Sequence, residues 1–205
     1  MKLVIIIFRL LIVISAFVGT YQSWTFARPH DLIYFTNQSN LFIGVLYFWL
    51  AFADIFNCKK PSASLHAAVV FYIAITGLVA NFVLDLSAIH YPLIIAPLTV
   101  NHFVHIITPV MAFIDFLLFA KHRQLKFKHA ASWLVYPVVY FIVILILVAI
   151  IPSIGYPYPF IDHNLLGTKA LLINVVKFAA AFYLLGLLIV LLDKYLPKFI
   201  CIKNT

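Results

Sequence analysis

Four short stretches of this chain carry residue types that do chemistry. They are Tyr34-Phe35-Thr36-Asn37-Gln38-Ser39-Asn40, then Asn81 with Asp85, then Asn101-His102-Phe103-Val104-His105, and finally Tyr158-Pro159-Phe160-Ile161-Asp162-His163 followed by Asn174 and Lys177. Nucleophilic catalysis takes a hydroxyl, a base about 3 Å from it and hydrogen-bond donors for the developing oxyanion. Thr36 or Ser39 offers the hydroxyl, His105 or His102 the base, and asparagine amides or backbone N–H groups the donors. On a helix, residues three and four apart share a face. That spacing joins Asn81 to Asp85, Asn101 to His105, His102 to His105, and Asn174 to Lys177.

Each of these residues also has a plainer role. Thr36 or Asn37 is a suitable helix cap. A neutral imidazole at either position can hydrogen-bond an amide or a carbonyl between helices. A metal needs three or four ligands. His102 and His105 with Asp85 or Asp162 supply them only if their helices converge, and the chain has no HxxxH or HExxH pair. We therefore expect no metal and no cofactor.

The elements that position these residues follow from composition. The 205 residues are 65% hydrophobic and 10% charged, with mean hydropathy +1.11. Soluble domains are about 45–50% apolar and about 25% charged. This excludes a water-soluble enzyme, a disordered chain and a coiled coil. Six stretches have the length of roughly 20 apolar residues that a spanning helix needs. They are 3–20, 39–56, 65–84, 96–119, 133–151 and 170–192. The expectation is an all-α polytopic membrane protein, one six-span domain over 1–205. Uninterrupted apolar runs exclude an outer-membrane barrel. Arg9 interrupts the first run and no small-x-small site follows it, so residues 1–20 read as an uncleaved span rather than a signal peptide.

The net charge of +8 comes from 14 Lys and Arg against 6 acids, all Asp. Positive residues mark the cytoplasmic side. Lys2, Lys59, Lys60, Lys121, Arg123, Lys126, Lys128, Lys194, Lys198 and Lys203 fall on one side, Arg28 and Lys169 on the other. Both termini are then expected to be cytoplasmic, and the polar stretches above to lie in the outer half. The basic residues serve topology and lipid headgroups rather than nucleic acid. Cys58 and Cys201 both fall on the reducing side and suggest no disulfide.

Charges inside the spans are costly. Lys177 is the most exposed to that cost; it snorkels, pairs with Asp85 or Asp162, or faces a wet cavity. Arg9 is expected to snorkel, and Asp54 and Asp115 to sit at the interface. Counted from Ala96 at about 1.5 Å per residue, His105 lies roughly 13 Å deep.

Three elements together carry a resemblance: Thr36 at the mouth of span 2, Asn101-His102-x-x-His105 opening span 4, and Tyr158-Pro159-Phe160-x-Asp162-His163 before span 6. In order, spacing and number of spans, the chain resembles the androgen-induced and androgen-dependent multi-span membrane proteins, and most closely their bacterial six-span branch. In animal members a membrane-embedded Thr and His hydrolyse fatty acid esters of hydroxy fatty acids. The resemblance implies Thr36 as nucleophile and His105 as base. The stretch Asn37-Gln38-Ser39-Asn40 is more polar than its animal counterpart, which leaves Ser39 as a rival nucleophile and leaves the ester open.

Three functions compete. One is an intramembrane lipid-ester hydrolase whose partners are membrane lipids. The second is a proton-coupled transporter using Asp85, His102, His105 and Lys177. Against it stand the absence of a repeat or paired broken helices and an opposite half of the bundle with few polar groups to complete a route. The third is a structural or assembly protein whose polar groups join helices. In all three, Asn37, Ser39, Asn40, Asn81, Asp85, Asn101, His102, Asp162, His163, Asn174 and Lys177 form the polar cluster around Thr36 and His105.

Overall fold

A computed structural model describes residues 2–25, 29–86 and 89–196. Arg28, Lys198, Cys201 and Lys203 lie outside the described residues. In chain order the helices are α1 (Lys2–Gly19), α2 (Tyr21–Trp24), α3 (Phe35–Phe56) and α4 (Ala63–Phe82). A small hairpin follows, β1 (Leu93–Ile95) against β2 (Leu98–Thr99), antiparallel. Then come α5 (Val100–His102), a π-helical turn (Phe103–Ile107), α6 (Thr108–Phe119), α7 (Phe127–Trp133), α8 (Val135–Ile150) and α9 (His163–Tyr195). Six helical segments are long and apolar enough to cross a membrane: Lys2–Gly19, Phe35–Phe56, Ala63–Phe82, Val100–Phe119, Phe127–Ile150 and His163–Tyr195. Large apolar side chains such as Leu3, Phe48, Trp49 and Val110 face outward. The protein is an all-α polytopic membrane protein.

The chain forms two compact units, Met1–Leu125 with Leu192–Thr205, and Lys126–Leu191. In the first, α1 packs on α3, α3 on α4, α4 on α6, and α6 back on α1. Ile12, Ala16, Ile43, Leu46, Tyr47, Leu50, Val69, Ile73 and Ala112 fill the middle. In the second, α7 meets α8, and a kink at Gly167 divides α9.

Several span limits move, each for a local reason. Span 2 starts at Phe35 because Asn37 and Gln38 reach back to the carbonyls of Asp31 and Leu32. The polar run is thus the first turn of the helix. Span 3 stops at Phe82, where Val83 leaves helical geometry, so Asp85 lies beyond the helix and shares no helical face with Asn81. Span 4 starts at Val100 rather than Ala96. A residue before proline is disfavoured in a helix, and Ala96-Pro97 turns the hairpin instead. His105 is therefore five residues into its helix, about 8 Å from its start at 1.5 Å per residue. Span 5 begins with α7, whose first turn is set by Lys126 N–H donating to His129 Nδ1 at 3.0 Å. Span 6 begins at His163, where Asp162 Oδ1 accepts from the N–H groups of Asn164 and Leu165 at 2.8 and 3.1 Å.

The intramembrane charges also differ from expectation. Arg9 does not snorkel: it is 3% exposed and joins three helices. Its Nε and Nη2 hold the two oxygens of Asp115 at 3.0 and 3.3 Å, and its Nη1 holds Asp54. Asp115 is fully buried and Asp54 nearly so, rather than interfacial. Lys60, from the loop after α3, pairs with the other oxygen of Asp54. Two cations against two carboxylates leave the group neutral, which is what makes its burial tolerable. Tyr47 lies beside it, donating to the carbonyl of Ala112 at 2.9 Å, with its hydroxyl 3.3 Å from His66 Nε2. The end of the bundle away from Thr36 is thus not poor in polar groups. Hydropathy hid them because each finds its partner on another helix.

Candidate functional site

Thr36 is the second residue of α3, and the capping position is taken by Tyr34. The capping role considered for Thr36 and Asn37 is therefore not theirs. The Thr36 side chain turns inward, and its Oγ1 lies 3.3 Å from His105 Nε2. His105 is 8% exposed, and its Nδ1 hydrogen-bonds Asn101 Oδ1 one turn earlier. An amide oxygen only accepts, so Nδ1 carries the proton and Nε2 is left as the acceptor. Thr36, His105 and Asn101 thus form a hydroxyl–imidazole–amide chain with one polarity.

The helix bearing His105 is not regular. The N–H of Thr108 donates to Phe103 five residues back, which closes a π turn. Pro109 follows and has no N–H. In a regular helix the N–H groups of residues 108 and 109 would serve the carbonyls of Val104 and His105. Here the first is diverted and the second does not exist. Two asparagines from other helices take their place. Asn40 Nδ2 donates to the carbonyl of Val104 at 3.1 Å, and Asn81 Nδ2 to that of His105 at 3.1 Å. Each also donates to the carbonyl four residues back on its own helix, Thr36 and Gly77 respectively, both at 2.8 Å. Glycine allows the close approach: a Cβ at Gly77 would stand 3.1 Å from Pro109 Cβ and 3.3 Å from the His105 carbonyl. On the other flank, a Cβ at Gly19 would stand 2.7 Å from Val104 Cγ1.

Ser39, His102 and Asn37 have other partners. Ser39 is fully buried; its hydroxyl is 2.7 Å from Thr76 Oγ1 and donates to the Thr36 carbonyl at 3.0 Å. It faces α4 and has no imidazole contact among the described residues. His102 is tied to the start of its own helix, its Nδ1 accepting from the Thr99 N–H at 3.2 Å and lying 2.9 Å from the Thr99 hydroxyl. That role orients α5 and leaves His105 as the base candidate. Asn37 bonds the Asp31 carbonyl at 2.8 Å, and Asp85 is exposed after α4.

Asp162, His163, Asn174 and Lys177 belong to the second unit. Besides the Asp162 cap, His163 Nε2 lies 3.1 Å from Thr168 Oγ1 and Asn174 donates to the Phe160 carbonyl at 3.2 Å. Phe160 stacks on Tyr158 and packs on Phe178, so the Tyr-Pro-Phe element packs against α9 beyond its Gly167 kink. Lys177 lies on an exposed face of α9 and makes no ion pair among the described residues.

Sequence reasoning overlooked Pro109 and Thr76, and it missed the pairing of Arg9 with Asp54 and Asp115. A proline and a threonine inside apolar runs were the available signals for the first two. Comparisons with protein-family models, with curated proteins and with solved structures return no match for this chain. The fold and site define a polytopic helical membrane protein with a part-buried Thr–His contact.

Proposed function

We propose that the protein is an intramembrane lipid-ester hydrolase, with Thr36 as nucleophile and His105 as base. The observation that carries this reading is the Thr36–His105 contact of 3.3 Å, with His105 Nδ1 held by Asn101. Hydroxyl or thiol, imidazole and an orienting third group is the recurring plan of acyl-transfer sites, and the third group is an amide in some of them. Catalytic hydrogen bonds are often long before substrate binds. The likeness to the androgen-induced family, with Thr36 and His105 at the matching motif positions, supports the same assignment.

The reaction runs in two halves. Thr36 Oγ1 attacks the ester carbonyl carbon as His105 Nε2 takes its proton. The tetrahedral intermediate collapses, the carbon–oxygen bond to the alcohol breaks, and His105 returns the proton to the leaving oxygen. Water then attacks the Thr36 acyl ester with His105 as base, releasing the acid and restoring the hydroxyl. Thr36 stands in the first turn of a 22-residue helix. The partial positive charge at a helix N-terminus favours both the alkoxide and the oxyanion. The split of basic residues supports cytoplasmic termini, with Thr36 near the outer face, and the family resemblance supports a bacterial plasma membrane. Lipid enters sideways between helices.

The test is hydrolysis of lipid-ester substrates by protein purified into lipid nanodiscs. Thr36→Ala and His105→Ala are each expected to lower kcat by at least about 100-fold. Wild-type turnover in both variants would overturn the reading.

A further inference from the structure

We infer that Asn40 and Asn81 are positioning residues: with Pro109 they hold the π turn that presents His105 Nε2 to Thr36. The inference rests on the hydrolase reading for its catalytic consequence, but its geometric content stands apart. Three facts meet at this turn. The Thr108 N–H is committed to Phe103, so it does not serve Val104. Pro109 has no N–H for His105, and its ring would collide with that carbonyl in a regular helix. The two carbonyls so released are the two that accept from Asn40 and Asn81, each at 3.1 Å.

The two asparagines are equivalent in form. Each uses one amide proton on its own helix, at the carbonyl four residues back, and the other on the π turn. An amide anchored this way has little freedom, so the carbonyls of Val104 and His105 are fixed relative to α3 and α4. The Asn40 bond has a second effect. Its intrahelical acceptor is the carbonyl of Thr36 itself. One side chain therefore ties the backbone of the nucleophile to the backbone next to the base. This is a short physical link between the two reacting groups that does not pass through either of them.

The π turn matters because of rotation. One residue on an α-helix corresponds to about 100°. If the turn reverted to α geometry, the residues before it would shift register against α6 by one position. His105 would swing away from Thr36 by an angle of that order. A misplacement of about 1 Å in a reacting group can cost about 100-fold in rate. The asparagines and the proline thus set the alignment of the dyad while touching neither reacting atom.

The experiment uses full-length protein in nanodiscs with three readouts: kcat and KM on a lipid ester, thermal stability, and the ¹⁵N resonances of the His105 imidazole, assigned by loss in His105→Gln. Pro109→Ala restores the missing N–H, so the His105 carbonyl can leave Asn81. A merely structural proline would give an equally or more stable protein with normal turnover. The inference expects stability kept or raised, kcat down about 100-fold, KM within about threefold and the Nε2 resonance shifted. Asn81→Leu is expected to give the same kinetic split and the same shift. If Asn81→Leu does not fold, Pro109→Ala carries the test. Wild-type kcat in Pro109→Ala, or a kcat loss with unmoved His105 resonances, overturns the inference. If wild-type protein hydrolyses no ester, the hydrolase reading fails by itself; the resonances then decide the inference, shifted for it and unmoved against it.

Discussion

Thr36 Oγ1 and His105 Nε2 lie 3.3 Å apart although 69 residues separate them in the chain. Thr36 comes from the first turn of its apolar helix and His105 from the second, and the imidazole is oriented from behind by Asn101. That arrangement separates the two hydroxyls of the polar run. Ser39→Ala is expected to keep turnover within a fewfold of wild type, because its hydroxyl serves Thr76 and the Thr36 carbonyl. Its cost is a hydrogen bond's worth of stability, about 1 kcal/mol. Parallel kinetics and thermal unfolding of Ser39→Ala and Thr36→Ala check this. Loss of turnover in Ser39→Ala alone would move the nucleophile to Ser39.

Asn101→Leu removes the acceptor behind His105 and leaves the Thr36 contact in place. Without it the imidazole loses the side-chain acceptor that holds its proton on Nδ1. We expect kcat to fall by about 10²-fold or more, within the range of a general-base contribution, and KM to change little. Asn101→Asp keeps an acceptor at the same place and should retain more activity than the leucine variant. Steady-state kinetics on the two variants side by side give the comparison.

The Arg9 group has its consequence in stability. Asp115 is fully buried and holds Arg9 through both oxygens. Asp115→Ala would leave Arg9 and Lys60 sharing Asp54 alone, one buried carboxylate short, and is expected to cost about 3–5 kcal/mol. The double change Arg9→Met with Asp115→Leu removes both charges and should recover much of that loss. Asp54 would keep Lys60 as partner. Unfolding in detergent titrations measures both, and an Asp115→Ala protein as stable as wild type would contradict the role.

A smaller effect is expected at the last helix end. Asp193 is 1% exposed, and its Oδ2 accepts from the N–H groups of Gln124 and Leu125 at 2.9 and 2.8 Å. Its Oδ1 lies 3.5 Å from His122 Nδ1. Asp193→Ala leaves a buried N–H at Leu125 unmade, at a cost of about 1–3 kcal/mol. Hydrogen exchange at Gln124 and Leu125 should accelerate, with the Thr36 end of the bundle unchanged.

Gly77→Val tests the close approach at the π turn. A branched side chain there must push against Pro109 and the His105 carbonyl. Overpacking of this kind costs about 1–3 kcal/mol, and separation of α4 from the turn breaks the Asn81 bond. Turnover should fall more steeply than stability alone explains, as seen by assaying at a temperature where the variant is fully folded.

The helices were legible because a run of about 20 apolar residues has few other uses. Thr36, Asn101 and His105 were legible as polar types in such runs. The Asn101–His105 bond was legible because both lie on one helix. The Thr36–His105 contact was not, since it depends on how α3 meets the π turn. The turn itself was signalled only by Pro109, whose effect on two carbonyls needs the backbone to be seen. Arg9 was misjudged for a different reason. Near a helix end, snorkelling and pairing have the same hydropathy, and its partners lie 45 and 106 residues away. The presence of Asp54 and Asp115 near the same ends of their spans was the available clue.

The most direct measurement is the site of the acyl group. Protein quenched during turnover of a lipid ester, or treated with a phosphonate probe, can be digested and mapped by mass spectrometry. We expect the adduct on Thr36 and its absence from the His105→Ala protein. An adduct on Ser39, or turnover with no adduct on Thr36 in wild type and undiminished in His105→Ala, would contradict the assignment of Thr36 and His105 as nucleophile and base.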